Sequence, residues 1–347
     1  MNDTIHQAIN ICIKKNIPFV AYILPNQSNW DFFSNPSTNI NCNTKFIINT
    51  FEQHFANPLE INAELNAIET IKLLKDSEIF PYAKITPWDK STDFCYYNAS
   101  LNNLISTLKE NGGKVVISRT ICNSALNFNW AKISEEYFKC FPSTFRYIYF
   151  TQETGCWLGA SPEILIDYNA NDTTFTTMSL AGTRKANNQP WDNKNIEEHD
   201  YVTEYIHKTL NSMGLKVTIH QAKNLSFGDI EHLCHIITST FEPYHFIDIL
   251  KRLSPTPALA GYPMDSALKS ISCIEEHPRY CYGGYVALSN KLGFKAYVNF
   301  RGVHFNQYNY CIYSGGGITA KSNIHEEWAE TESKIKKLKD IIDKFTS

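Results

Sequence analysis

Near its C-terminal end the chain reads HEEWAETESK (325–334), just after a glycine-rich run, SGGGITAK. Its glutamates are Glu326, Glu327, Glu330 and Glu332. On a helix, Glu327 and Glu330 share a face, and Glu326 lies four residues before Glu330. Like charges at that spacing oppose helix formation unless solvent or a cation offsets them. Hard divalent cations need such carboxylates, and Mg2+ typically takes one or two of them with water and an anionic ligand. A solvated first turn fits as well, because acids suit a helix N-terminus. NIEEHDYVTEY (195–205) poses the same choice with Glu197, Glu198, Asp200 and Glu204, and His199 among them reads as structural or surface.

Three further residues have types and settings that suit chemistry. Glu163, in GASPEIL, follows a turn and precedes apolar residues. A carboxyl against apolar strands is desolvated, which raises its pKa and suits it to donate a proton; a strand-edge, solvent-facing Glu is the plainer reading. Lys114, in GGKVVISRT, opens an apolar strand. Burial there lowers a lysine's pKa toward that of a base, although lysines also simply guard strand ends. Arg301, in VNFRGV, reads as mid-strand among apolar neighbours. A charge in that position needs an anionic partner, either an internal acid or a substrate carboxylate.

The elements that must position these residues show a mixed pattern. Helical spacing predicts helices over 57–78, 99–113, 192–213, 245–253, 264–275 and 324–344. Apolar runs bounded by turn residues predict strands at 114–121, 145–151, 156–168, 173–182, 281–289, 294–305 and 308–317, with PFVAYIL and TKFIINTF earlier. Blocks of strands, then helices, then strands again predict an α+β fold with large, mainly antiparallel sheets. The chain has no GxGxxG after a strand and no GxxxxGK[ST], so a phosphate-cradling nucleotide fold is not expected.

Composition narrows the function classes. The 347 residues include 32 Lys plus Arg against 35 Asp plus Glu, a formal charge of −3, with no basic field to recruit nucleic acid or an anionic membrane. The longest apolar stretches, such as FVAYIL, fall far short of the roughly 20 residues that span a bilayer. The N-terminus does not read as a signal peptide. Ten scattered cysteines without a CxxC pair point to reduced, buried thiols and a cytoplasmic location.

Read in order, KVVISR, LGASPEIL, LAGTR, EEH, EHL, LSPTPALAG, YGGYVA, VNFRGV, YSGGGI and EWAETESK resemble the chorismate-utilising enzymes, from about residue 90 to the end. That family includes isochorismate and salicylate synthases and the first components of anthranilate and aminodeoxychorismate synthase. The resemblance implies antiparallel sheets packed as an α/β sandwich with outer helices. Residues 1–90 would be the variable N-terminal part of the same domain, and 91–347 the catalytic core. It implies Mg2+ held by Glu198 and Glu330, with Glu327 nearby. Arg301, the backbone amides of Gly315, Gly316 and Gly317, and Lys334 would bind the carboxylates of chorismate, and Gly182 and Thr183 would line the pocket.

Two positions separate the members of the family. Lys114 matches the lysine that serves water-using members as general base, where anthranilate synthases carry Gln. Ala181, in AGT, stands where aminodeoxychorismate enzymes carry a nucleophilic lysine. Both favour water as the nucleophile, with Glu163 as the acid, and hence an isochorismate synthase feeding menaquinone or siderophore synthesis. No organic cofactor and no glutaminase subunit is expected, and the chain would be a monomer or weak dimer. The alternatives are salicylate formation with loss of pyruvate, an ammonia-using synthase, and a non-catalytic homologue that binds an anion or a partner. Ser254, His235 and Ala287 depart from the usual isochorismate pattern and bear on pocket shape.

Overall fold

The computed structural model describes residues 2–37, 42–52, 57–76, 86–185, 190–227, 230–240 and 246–346. The chain opens with α1 (Asn2–Lys15), β1 (Phe19–Ile23), β2 (Asp31–Ser34), β3 (Lys45–Asn49), β4 (Leu59–Asn62) and α2 (Ala67–Leu74). Next come α3 (Phe94–Asn111), β5 (Lys114–Ser124), α4 (Trp130–Lys139), β6 (Phe145–Thr151), β7 (Gly155–Ser161), β8 (Ile164–Asn169) and β9 (Thr174–Lys185). Then follow α5 (Asn193–Ser212), β10 (Val217–Ile219), β11 (Lys223–Phe227), β12 (Ile230–Thr240), α6 (Phe246–Leu253), β13 (Gly261–Tyr262) and α7 (Met264–Ile274). The last elements are β14 (Tyr285–Asn290), β15 (Gly293–Val298), β16 (Val303–Phe305), β17 (Asn309–Thr319) and α8 (Ile324–Lys344).

Two antiparallel sheets form among the described residues. One runs β13-β5-β17-β16-β7-β6-β1-β2, and the other β10-β12-β9-β8-β15-β14-β3-β4, with β11 also on β12. They pack face to face because their strands alternate. In β6, Phe145, Tyr147 and Tyr149 point into an aromatic layer shared with Phe46 of β3, Val286 of β14 and Tyr297 of β15. Ile148 and Phe150 of the same strand point the other way, against α1, α4 and α8. A strand apolar on both faces is what a sheet covered on both sides requires. The rings of Phe145 and Tyr297 stack between the sheets at 4.4 Å. The outer face of the second sheet is covered by α5 and α6. The fold is therefore α+β: two antiparallel sheets with helices outside.

Four expectations need correction. The stretch 57–78 is not one helix, because β4 occupies its start. Asn66 accepts from the amides of Ile68 and Glu69 while Glu69 caps back, so the helix begins only at Ala67. The apolar spacing of Leu59 and Ile61 fits a strand equally well, and pairing with β3 decides it. The run 156–168 is two strands in different sheets. Proline lacks the N–H a ladder needs, and the chain crosses between sheets at Pro162–Glu163. The run 294–305 likewise splits into β15 and β16. Arg301 is thus not mid-strand; it lies in the crossing segment with φ +49°. By contrast, Gly315–Gly317 fall in the strand expected over 308–317, as part of β17, opposite Ser118, Ile117 and Val116 of β5. Helices α1 and α4 and strands β10 to β13 had no counterpart in the sequence reading. Among the described residues no helix is long and apolar enough to cross a membrane.

Candidate active site

Strands β5, β9, β12 and β17, helices α5 and α8, and the crossing between the sheets deliver the site. Lys114 is the first residue of β5, opposite Tyr262 of β13 and Thr319 of β17. Glu163 sits at the crossing between the sheets, its carbonyl accepting from the amide of Val298. Gly182 is the extra residue of a bulge in β9. His232 pairs with Thr183 and Leu233 with Ala181, leaving Gly182 at φ +70°. Bulges re-aim the side chains beside them. Here the amide of Thr183 donates to Asn195 Oδ1 at 3.0 Å, which ties the bulge to the first turn of α5. Asp192 caps that helix, and Asn323 caps α8.

One cavity gathers almost every residue singled out from the sequence. Lys114, Glu163, Gly182, Thr183, Glu198, Gly315, Gly316, Gly317, Glu327, Glu330 and Lys334 all line it. Arg301 does not. Its guanidinium lies over Phe141 at 4.7 Å, and its buried Nη1 has no hydrogen-bond partner. Burial holds its pKa below the ordinary arginine value, and Phe300 stands in the cavity wall in its place.

Each carboxylate on one wall meets a lysine. Lys114, 1% exposed, has its Nζ 2.7 Å from Glu198 Oε1. This contact is one the ammonium makes, so the buried charge is paired. Lys194 donates to Glu327 Oε1 at 2.7 Å, and Ser322 Oγ donates to the same oxygen at 2.8 Å. Lys334 donates to Glu330 Oε1 at 2.6 Å and to the carbonyl of Gly315 at 3.3 Å. Burial pushes the Glu327 carboxyl up, against the pull of Lys194 and Ser322. Burial also opposes charge on Glu330, but Lys334 and Lys194 together hold it below the usual range. Glu326 is exposed. Glu332, also exposed, pairs with the buried guanidinium of Arg119, which lies 3.8 Å over Trp328 and fixes α8 on β5.

The opposite wall is unlike this one. Glu163 is 2% exposed, and its Oε1 has no hydrogen-bond partner. Burial pushes its pKa up to about 8, with Thr256 and Lys114 pulling only partly back. It is a neutral acid near pH 7, poised to give up a proton.

Sequence reasoning missed Lys194, Asn195 and His232, which also line the cavity. The motifs EEH and EHL contain or flank them, but only the fold turns them inward. His232 Nδ1 donates to the carbonyl of Gly182 at 2.9 Å. Burial, then the charge of Arg301, lowers its pKa to about 4, so the ring is neutral. His199 faces away: its Nε2 lies 3.1 Å from Ser179 Oγ, and burial and His235 lower its pKa to about 4. Of the three departures, Ser254 and Ala287 are buried, and His235 Nδ1 donates to the carbonyl of His220 at 2.7 Å.

The donor set fits Mg2+. Among the described residues no three His, Cys, Asp or Glu side chains are already gathered as a metal cluster. Mg2+ needs no such cage, since one or two carboxylates with water and an anionic ligand suffice. Glu198, Glu327 and Glu330 supply hard oxygens on one wall. The bare backbone opposite leaves them room: a Cβ on Gly316 would lie 3.1 Å from Glu327 Oε2, and one on Gly317 would collide with Glu198 Oε1.

The sequence model of the family described as "Chorismate binding enzyme" matches residues 32–343. The chain belongs to the chorismate-binding enzymes. Among curated relatives, the isochorismate synthase MenF of Escherichia coli is 28% identical over 198 residues, 54% of this chain and 45% of the relative. The anthranilate synthase component 1 of Saccharolobus solfataricus is 25% identical over 201 residues, 53% of this chain and 47% of the relative. The chain thus matches about half the length of these relatives. The solved structure of E. coli MenF, the menaquinone-specific isochorismate synthase, superimposes with a TM-score of 0.78 at 19% identity, covering 96% of this chain and 90% of that one. Anthranilate synthase component I of Streptococcus pneumoniae gives 0.67 at 13% identity, covering 92% of each. These likenesses establish the shared fold, and the family is related to isochorismate synthases.

Proposed function

We propose that this chorismate-binding enzyme is an isochorismate synthase, one that moves the ring hydroxyl of chorismate from C4 to C2. The observation that carries the reading is the contrast between Lys114 and Glu163 in a single cavity. The lysine is paired with Glu198, whereas the carboxyl is buried away from any such partner and held neutral. Enzymes that run acid and base chemistry together rely on pairs of groups whose environments differ in this way.

In this reading Lys114, once it has shed its proton, takes one from a water that attacks C2. The two ring double bonds shift from C1=C2 and C5=C6 to C1=C6 and C4=C5, and the C4 hydroxyl takes its bonding pair and the proton of Glu163 and departs as water. Water and product differ from water and substrate only in position, so no redox partner is needed. A return of the proton from Lys114 to Glu163 through solvent resets the pair, and the reverse reaction exchanges their roles. Ala181 in the wall leaves no lysine nucleophile there, which favours water over a covalent route.

Glu198, Glu330 and Glu327 would hold Mg2+, which when bound neutralises and orients the ring carboxylate. Lys334, near the Gly315 carbonyl, would reach a substrate carboxylate directly, and the strand edge at Gly315–Gly317 would pass close beneath the ring. Arg301 would act on a carboxylate only from behind Phe300. The service of this reaction would be menaquinone synthesis, with siderophore supply as the other outlet.

Incubating the purified protein with chorismate and Mg2+ and resolving the products by liquid chromatography tests the assignment. Isochorismate is expected. Salicylate with pyruvate would move the enzyme to salicylate synthesis, anthranilate formed with added ammonia would move it to the amine-forming class, and unchanged chorismate would sink all three.

A further inference from the structure

The cavity pairs three carboxylates with three lysines, and one of those lysines has no part in the chemistry above. Lys114 serves as base and Lys334 reaches substrate. Lys194, in the first turn of α5, touches Glu327, and its charge is also felt at Glu198 and Glu330. Its side chain is 31% exposed and that of Glu327 5%, so the pair sits at the cavity rim with the acid inward. Lys194 takes Oε1, and Oε2 is left facing the open backbone of Gly316.

We propose that Lys194 is a positioning residue whose charge balances the acid wall and thereby couples the binding of the divalent cation to that of the dicarboxylate substrate. The inference rests on the reading above that this site takes Mg2+ and chorismate. With three acids against three ammonium groups, the lining carries no net charge, and Glu163, kept neutral by burial, adds none. A dication alone leaves two uncompensated positive charges in a partly desolvated cleft, and a dianion alone leaves two negative ones. Bound together they restore the balance. Charges at close range in such a site interact far more strongly than in water, so each ligand raises the affinity for the other, and by linkage the two effects are equal.

Removing the charge of Lys194 biases the lining toward the cation. Ser322 still donates to Glu327 Oε1, so the carboxylate keeps a tether. In Lys194→Met, Mg2+ alone, titrated calorimetrically into protein freed of metal with EDTA, is expected to bind about tenfold more tightly than to wild type. Chorismate alone, titrated in the presence of EDTA, is expected to bind about tenfold more weakly. In turnover the loss appears in KM more than in kcat, and Lys194→Arg, which keeps the charge, returns all three values to near wild type. Lys194→Gln carries the same expectations should the Met variant melt early.

Unchanged Mg2+ affinity in both neutral variants would overturn the proposal. So would a parallel loss of both ligands, which is what a merely structural role produces. If wild type makes no isochorismate while the Mg2+ effect holds, the charge role stands and the assigned reaction falls.

Discussion

Gly317 of β17 and Glu198 of α5 share a space that admits only one side chain. A Cβ on Gly317 would collide with Glu198 Oε1 and come within 2.9 Å of Lys114 Cε. The glycine run is therefore a piece of bare strand that lets a carboxylate and a lysine meet across it, rather than a flexible phosphate loop.

Gly317→Ala tests this relationship. The obstructed atom is the tip of a flexible side chain, so the fold can absorb the methyl group by turning Glu198 away. The melting temperature should move by no more than a few degrees, while kcat/KM for chorismate should fall about 100-fold or more, a displacement effect of the size seen when reacting groups move by about 1 Å. Unimpaired kinetics would mean that the placement of Glu198 on Lys114 is not needed.

Lys114→Gln and Lys114→Ala remove the proposed base. Loss of one positioned acid–base group costs about 10²- to 10⁴-fold in rate, and steady-state assays should show kcat lowered within that range. Both variants also leave Glu198 without its buried partner, so a lower melting temperature is expected beside the kinetic loss. A variant that folds and turns over normally would remove Lys114 from the mechanism.

The alkaline limb of the rate profile should report Glu163. Its pKa stands at about 8, so the protonated form that can donate declines as pH rises through that value. A profile of kcat/KM against pH should fall above about pH 8 in wild type. In Glu163→Gln, whose residual rate has no acid to titrate, that limb should be missing; its persistence would assign it to another group.

The same carboxyl makes a prediction about stability. Unfolded, Glu163 ionises near the ordinary value of 4.5; folded, it keeps its proton to about 8. Between those values the native state binds more protons than the unfolded one, so this residue's contribution to stability falls as pH rises and levels off above about 8. Glu163→Gln removes that dependence. Thermal melts should show the variant more stable than wild type at pH 8, by on the order of a few kcal/mol at most, with the advantage shrinking toward pH 4.5. A constant difference across this range would contradict a buried neutral acid.

The sequence by itself determined the kinds of groups and much of the frame. Strand β6 was legible as a continuous apolar run bounded by turn residues, and helices α5 to α8 because their apolar residues recur near every fourth position; both are local properties. Glu163 was legible only as one of two readings: the apolar run that follows it pointed to a desolvated acid, while a solvent-facing strand edge was the plainer reading. The motifs, in family order, carried the chemistry class. What depended on contacts between distant residues was not legible. The breaks at Pro162 and before Arg301 send each run into two different sheets, since a continuous apolar pattern cannot say which sheet it joins. Which glutamates of 326–332 turn inward was half legible from helical spacing. The partners of those acids were not, because Lys194 and Glu327 lie 133 residues apart in the chain yet 2.7 Å apart in space. Lys194 and His232 entered the cavity only when the bulge at Gly182 and the cap at Asp192 fixed their directions. Pairing of charges across a cavity is decided by packing, and packing is set by the whole fold.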